Sequence, residues 1–196
     1  MAERIKRRGF MLLEIVVAIA IILLLAAAIT PVVLGGIDAA RIDQASKILA
    51  NLAAGSQLFD DEVGSNAGSP ANRSEYPSDL THLVTPITTA QVNVCNRAYD
   101  TGDVGEWNGP YYNAAVPATG IKTAMGTISI NTVLLTNTSM AFRMPNVTFE
   151  DAVALNDLVD GDGNTAAGSP GGTVVFGAAD VNGLVTVDYV MPIQSC

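Results

Sequence analysis

A basic N-terminus followed at once by a long apolar run constrains this chain more than any other feature. Residues 1–9 carry four basic side chains and one acidic side chain, whereas residues 10–34 carry a single charge, that of Glu14. As a helix, the apolar run would measure about 37 Å, more than the roughly 30 Å of a bilayer's hydrocarbon core. We therefore expect a transmembrane helix. The positive-inside rule then leaves residues 1–9 in the cytoplasm and the remainder of the chain on the far side.

The composition excludes several classes of protein. The chain has 196 residues, of which 19 are acidic and 10 basic, and its formal net charge is −9. Proteins that bind nucleic acid need a basic surface, so this balance argues against that function. Two cysteines and one histidine are too few for a Cys/His metal cluster or a disulfide-dense scaffold. The length fits one ordinary domain with an appendage, or two small domains.

The acidic residue near the start of the apolar run suggests that this segment does more than target the protein. A carboxylate within a membrane span costs about 2.5–3.5 kcal/mol on insertion scales and usually marks function. An ordinary secretory signal peptide has a shorter apolar stretch, of about 7–15 residues, with a cleavage site after it. The alternative is cleavage before the apolar run, between Gly9 and Phe10.

The stretch RRGFMLLEIVVAIAI resembles the leader and N-terminal helix of type IV pilins and of type II secretion pseudopilins. Gly9, Phe10 and Glu14 match the family pattern, and Pro31 stands where pilins often carry a helix-kinking proline. The resemblance implies that a prepilin peptidase cuts after Gly9 and methylates the new amino terminus at Phe10. It also implies that Glu14 helps to register subunits during assembly.

The resemblance further implies a structural subunit rather than an enzyme. Its partners would be homologous pilin subunits in a helical filament, the prepilin peptidase and the inner-membrane assembly machinery. The protein would be a single-pass inner-membrane protein with a cytoplasmic N-terminus, and then part of a periplasmic or extracellular filament.

Two alternatives stay open at this point. A type II secretion pseudopilin is favoured by the segments YPSDL and WNGPYY, whereas a pilin is favoured by the larger body and the cysteine pair. A membrane-anchored enzyme is a remote alternative, because no catalytic cluster is visible. His82, the only histidine, is expected at the surface or at an edge.

Beyond the apolar run, residues 35–59 are expected to continue the helix in amphipathic form. Apolar or small side chains recur there at spacings of three and four residues, which indicates one helix face. The members of this stripe are Ile42, Ala45, Leu49, Leu52, Ser56 and Phe59. Such a face needs cover, so we expect it to lie under a globular domain.

Residues 60–196 indicate a small α+β domain, and the whole is expected to be pilin-like. In this fold a long N-terminal helix, transmembrane in its first half and amphipathic in its second, packs on an antiparallel sheet of about four strands. The expected elements are a surface loop at Asp60–Glu75, a short helix capped by Ser78, strands at Thr127–Leu135 and Ser139–Met144, a helix opened by Thr148, and strands at Thr173–Phe176 and Leu184–Met191 with a hairpin signal at Asn182-Gly183.

The two cysteines are expected to form a disulfide. The compartment beyond the membrane is oxidising, and pilins often tie down a C-terminal region in this way. A Cys95–Cys196 bridge would close a long loop and contribute about 4–5 kcal/mol in the chain-entropy model. The alternative is two free or intermolecular thiols.

One acidic turn offers a candidate metal site. Asp160, Asp162 and Asn164 place oxygen ligands at alternating positions, as a calcium loop does. An EF-hand is excluded, because Thr165 stands where that motif needs glycine and Gly171 where it needs an acid. The family resemblance leaves a looser calcium site, to which Asp157 or Asp180 would add oxygens, and the alternative is a solvated turn. No other cofactor is expected.

Overall fold

The computed structural model describes residues 12–64, 75–161 and 172–196. The chain divides into two compact units, Met1–Ala40 and Arg41–Cys196. The described part of the first unit is helical, whereas every strand among the described residues lies in the second, so the second unit is an α+β domain.

The domain contains a two-stranded and a four-stranded antiparallel sheet. Strand β1 pairs with β2, and the larger sheet has the order β3-β4-β6-β5. In chain order, the elements are α1 (Leu12–Val63), a 3-10 helix (Leu80–Leu83), α2 (Thr101–Glu106), β1 (Ile121–Lys122), β2 (Thr127–Ile128), β3 (Thr132–Thr136), β4 (Ser139–Thr148), α3 (Phe149–Val159), β5 (Val174–Phe176) and β6 (Leu184–Pro192).

The amphipathic stripe predicted for α1 is confirmed. Five of its six members, from Ala45 to Phe59, are at most 1% exposed, and Ile42 packs against the same core. The stripe extends about one helical turn further than predicted, to the fully buried Val63. The second half of α1 is therefore held in the domain by its apolar face.

The predicted transmembrane first half of this helix is wrong. In the parts of the chain that the structure describes, no helix is long and apolar enough to cross a membrane.

The inner face of the four-stranded sheet closes the core over the stripe of α1. In β4 the side chains of Met140, Phe142 and Met144 are at most 1% exposed, and they belong to the same hydrophobic cluster as Leu49 and Leu52. Strands β4 and β6 pair along most of their length, from Ser139 opposite Pro192 to Thr148 opposite Leu184, with one irregularity.

Helix α3 begins as predicted. The Thr148 side chain accepts a hydrogen bond from the backbone N–H of Asp151 at 3.2 Å, which is the interaction of an N-cap. The short helix near residue 80 begins differently. Its cap is Asp79, which accepts from the backbone N–H of Thr81 at 2.7 Å, while the Ser78 hydroxyl donates to the carbonyl of Val92.

Two other expectations need correction. Asp60 and Glu75, predicted as the ends of a surface loop, are both buried. The predicted strand Thr127–Leu135 is two strands, because Ile130 accepts a hydrogen bond from Leu80 between them.

The hairpin predicted around Asn182-Gly183 is confirmed, because β5 and β6 are antiparallel neighbours. In the connection between them, the Asp180 side chain accepts hydrogen bonds from the N–H groups of Asn182 and Leu184.

Candidate functional site

The most unusual surface of the chain is the apolar start of α1. Consecutive residues of a helix project about 100° apart, so an apolar run exposed at every position has no polar side. Exposure ranges from 48% at Val17 to 74% at Leu13 among ten large side chains of this segment. These ten are Leu13, Ile15, Val16, Val17, Ile19, Ile21, Ile22, Leu23, Leu24 and Leu25, which we call the apolar segment.

Glu14 is the single charged residue within this surface. Its side chain is exposed. Any assembly that covers the apolar segment would remove Glu14 from water, which would require a cationic partner.

The other predicted residues of the N-terminal signal are only partly placed. Gly9 and Phe10, the expected cleavage and methylation site, lie outside the described residues. Pro31 falls within α1. The kink expected at Pro31 therefore stays a prediction.

The structure joins Cys95 and Cys196, with their Cα atoms 5.5 Å apart and 101 positions between them in the sequence. The N–H of Cys196 also donates to the carbonyl of Asn137 at 2.9 Å. The C-terminus is thus fixed both to the segment before α2 and to the turn between β3 and β4.

Of the three proposed calcium ligands, only Asp160 lies among the described residues. Its two carboxylate oxygens accept hydrogen bonds from the backbone N–H groups of Thr173 and Val174, each at 2.9 Å. Asp160 therefore joins the end of α3 to the start of β5. No cluster of three or more potential metal-ligating side chains is present among residues 12–64, 75–161 and 172–196. Calcium binding through Asp162 and Asn164 stays a prediction.

A buried polar cluster that the sequence did not suggest lies at the end of α1. Glu75 is fully buried, and its carboxylate accepts hydrogen bonds from Arg97 Nη2 at 2.7 Å and from Asn93 Nδ2 at 2.8 Å. Asn93 in turn accepts from the backbone N–H of Arg97 at 2.9 Å. The Glu75 backbone N–H donates to Asp60 at 2.7 Å. We call Asp60, Glu75, Asn93 and Arg97 the polar cluster.

Burial changes the acidity of this cluster. Removal from water raises the pKa of Asp60 to about 6, against the lowering effect of its hydrogen bonds from Glu75 and Tyr76. Burial also raises the pKa of Glu75, although Asn93 and Arg97 oppose the shift. No local pattern indicates this pairing, because 22 positions separate Glu75 from Arg97.

Aromatic rings cover the last turns of α1. The Tyr111 ring lies edge-on to Phe59, with centroids 5.5 Å apart, and edge-on to Trp107, at 5.7 Å. The Tyr111 hydroxyl donates to Glu62 at 2.8 Å. These contacts fasten the WNGPYY segment to the helix.

His82 is buried rather than at the surface as predicted. It is 3% exposed, and its Nδ1 lies 3.2 Å from the hydroxyl of Tyr99. Burial lowers the pKa of His82. Its backbone carbonyl accepts from the Trp107 indole N–H at 2.9 Å. His82 therefore belongs to the packing that supports the aromatic rings.

The polar and aromatic groups described above hold the domain onto the second half of α1, whereas the apolar segment has no cover in the described chain. The sequence matches no protein-family model, no curated protein and no solved structure.

Proposed function

We propose that this chain is a structural subunit of a type IV pilin-like helical filament, matured by cleavage after Gly9 and methylation at Phe10. The observation that carries the proposal is the apolar segment, whose ten large side chains are each about half or more exposed. The resemblance of residues 7–21 to prepilin sequences supports the same function.

The energetics favour an assembly. Complete burial of a Val, Leu or Ile side chain contributes about 1.5–3 kcal/mol. Ten half-exposed side chains would thus contribute on the order of 10 kcal/mol when neighbours cover them. Association costs an estimated 4–15 kcal/mol in lost motion, so contact with several neighbours is needed for a stable assembly. A helical bundle of identical segments supplies such contacts.

Glu14 would give this bundle its register. A carboxylate in an apolar bundle is costly unless it is paired with a cation. Cleavage after Gly9 creates a cation, the amino group of Phe10, four positions before Glu14. A Glu14 carboxylate that meets the Phe10 amine of a neighbouring subunit would fix the axial position of one chain against the next.

Substitution of Glu14 by alanine tests this role. The full chain is expressed with a prepilin peptidase and the assembly machinery, and filaments are quantified after shearing. We expect Glu14→Ala to be cleaved normally but to yield at least about tenfold fewer filaments than wild type. Glu106→Ala removes an exposed acid at the end of α2 and is the matched control, with normal yield expected. Normal assembly of Glu14→Ala would contradict the pairing.

Cleavage is tested separately by intact mass. A mature chain should begin at Phe10 and carry one added methyl group, and Gly9→Val should leave the nine leader residues attached. A mature protein that still begins at Met1 would overturn the proposed function.

A type II secretion pseudopilin is the second candidate. The Tyr111 N–H of WNGPYY donates to the carbonyl of Leu83, three positions after the end of YPSDL, so the two segments that favour it lie near each other. A deletion strain distinguishes the two candidates. Loss of surface filaments supports the pilus, whereas loss of protein export with intact pili supports the secretion system.

A further inference from the structure

Trp107 and Tyr111 form a contact pair of oxidisable rings near the end of α1. Trp107 is the only tryptophan of the chain, and its ring lies edge-on to that of Tyr111, at 87° and with centroids 5.7 Å apart. Indole and phenol rings are the aromatic side chains from which one-electron oxidants remove an electron. Electron transfer slows steeply with distance, so two such rings in contact exchange an electron rapidly.

The Tyr111 hydroxyl has the proton acceptor that oxidation of a phenol requires. A phenol that loses an electron becomes strongly acidic, so a base within hydrogen-bond reach favours the reaction. The hydroxyl donates to the Glu62 carboxylate at 2.8 Å and accepts from the backbone N–H of Asn108 at 3.0 Å. Burial raises the pKa of Tyr111 to about 12, so the phenol keeps its proton at neutral pH until it is oxidised.

The Trp107 indole is hydrogen-bonded to a group that is not a base. Its N–H donates to the backbone carbonyl of His82 at 2.9 Å, and a carbonyl oxygen does not take up a proton at neutral pH. An oxidised Trp107 ring therefore keeps its proton as a radical cation, the form that recovers an electron most readily. This difference between the two rings gives the transfer a direction, from Tyr111 to Trp107.

Small solutes can reach Trp107, which is half-buried, from an open groove. The groove has a volume of about 370 Å³, and its lining includes Trp107 and the three acidic side chains of Asp61, Glu62 and Glu106. A groove lined by one sign of charge concentrates ions of the opposite sign. The oxidant that this groove favours is therefore a cation, such as a redox-active metal complex.

Phe59 ends the series of oxidisable rings. Its ring lies 5.5 Å from that of Tyr111 and 6.0 Å from that of Tyr99, measured between centroids. A phenylalanine ring is not oxidised by agents that oxidise tryptophan or tyrosine. A radical formed on Tyr111 is thus separated from Tyr99 by an inert ring.

We propose that Trp107, Tyr111 and Glu62 form a relay for one-electron oxidation by a cationic oxidant in the groove. The oxidant takes one electron from Trp107 and is thereby reduced. The Trp107 radical cation then takes one electron from Tyr111, whose hydroxyl proton passes to Glu62. The products are a neutral Trp107, a neutral radical on Tyr111 and a protonated Glu62 carboxyl group. This activity goes beyond the proposed filament and does not depend on it.

Flash photolysis provides a direct test. Photogenerated tris(bipyridine)ruthenium(III), a cation, oxidises Trp107 in the full chain held in a nonionic detergent, and transient absorption follows the radicals. We expect the broad tryptophanyl band to decay as the narrow tyrosyl band grows, at a rate independent of protein concentration. Residues 41–196 provide a repeat without detergent, because they include every described residue of the buried core and the disulfide.

Two conservative variants separate the electron step from the proton step. Tyr111→Phe keeps the ring but removes the hydroxyl, so the tryptophanyl band should persist. Glu62→Gln keeps a hydrogen-bond acceptor but removes the base, and it should slow the transfer at least about tenfold, since a positioned base contributes about 10²–10⁴-fold. Tyr189→Phe, at a half-buried position of β6, is the matched control and should transfer at the wild-type rate.

Two further measurements keep the test independent of misfolding. Near-ultraviolet circular dichroism shows whether each variant is folded, and wild type in D₂O should transfer more slowly because a proton moves with the electron. The proposal is overturned if wild type forms no tyrosyl radical from the tryptophanyl radical, or if folded Tyr111→Phe forms it equally. Equal rates for wild type, Glu62→Gln and wild type in D₂O would also overturn it. None of these results affects the filament function, which is tested through Glu14 and the leader.

Discussion

The Asp60 carboxylate accepts a hydrogen bond from the backbone N–H of Glu75 at 2.7 Å. This bond links the last turns of α1 to the residue whose own carboxylate is buried against Arg97 and Asn93. Two acids are therefore buried side by side, with one guanidinium bonded to the second of them. We therefore expect the stability of this contact between α1 and the domain to depend on the ionisation of Asp60 and Glu75.

We predict that Asp60 makes the domain less stable as the pH rises from about 4 to 7. Its folded pKa of about 6 lies above the ordinary value of 3.8, so the folded state binds the proton more tightly than the unfolded state does. Stability from this group is then present at low pH and is lost as the pH rises through 6. The raised pKa of Glu75 acts in the same direction.

His82 opposes this trend, because its lowered pKa favours folding at higher pH. The measurement is therefore the difference in unfolding free energy between wild type and Asp60→Asn, from urea unfolding of residues 41–196 at several pH values. Between pH 4 and pH 7, the unfolding free energy of wild type should fall relative to that of Asp60→Asn. Asp157→Asn, at an exposed position of α3, should show no such change. A pH-independent difference for Asp60→Asn would refute the prediction.

Removal of the Arg97 side chain should destabilise the domain by about 2–4 kcal/mol. A buried carboxylate that loses its cation keeps its desolvation cost without the compensating attraction. Arg97→Met leaves Glu75 in that state, and Glu75→Gln in the same chain should restore part of the loss. Urea unfolding of the two single variants and the double variant provides the coupling energy.

The matched control for this cycle is the exposed pair of Lys47 and Asp43. These residues lie one helical turn apart, and their side chains are 70% and 51% exposed. Lys47→Met should cost less than about 0.5 kcal/mol, because water screens such pairs. Equal losses for Lys47→Met and Arg97→Met would show that burial of Glu75 has no energetic consequence.

Loss of the disulfide should lower the stability of the domain by about 4–5 kcal/mol. The bond closes a loop with a sequence separation of 101, and the chain-entropy model assigns the effect to the unfolded state. Cys95→Ser with Cys196→Ser should lower the unfolding midpoint accordingly. Reductant should lower the midpoint of wild type to that of the double variant and leave the variant unchanged.

Local signals in the sequence predicted those elements whose contacts are regularly spaced. The stripe of α1 repeats over five turns, and Thr148 caps α3 through a residue three positions away, so both could be identified without tertiary information. Alternation predicted the first part of β4, Ser139–Met144, but not its continuation to Thr148, and β6 was predicted from its strand-like residues.

Elements determined by distant partners could not be predicted in this way. The break between β2 and β3 arises because residues near Leu80 bond to Ile130 and Thr132. His82 is buried because Tyr99 and Trp107 fold over it. In the candidate site, Glu14 was apparent from its charge in an apolar run, whereas the polar cluster depends on the pairing of Glu75 with Arg97.

A close backbone contact at Gly55 gives a final test of how α1 is held. A Cβ atom at this position would lie 2.6 Å from the carbonyl oxygen of Tyr111, too close for any real contact. Gly55→Ala should therefore push the WNGPYY segment away from the helix and cost about 1–3 kcal/mol, as overpacking does. Gly105→Ala, in α2, would meet nothing within 4 Å and should be neutral or stabilising by up to about 1 kcal/mol.

Thermal unfolding of both variants, followed by Trp107 fluorescence as the local reporter, provides the measurement. The fluorescence should change at a lower temperature than in wild type for Gly55→Ala alone. A Gly55→Ala variant as stable as Gly105→Ala would contradict the contact between Tyr111 and α1.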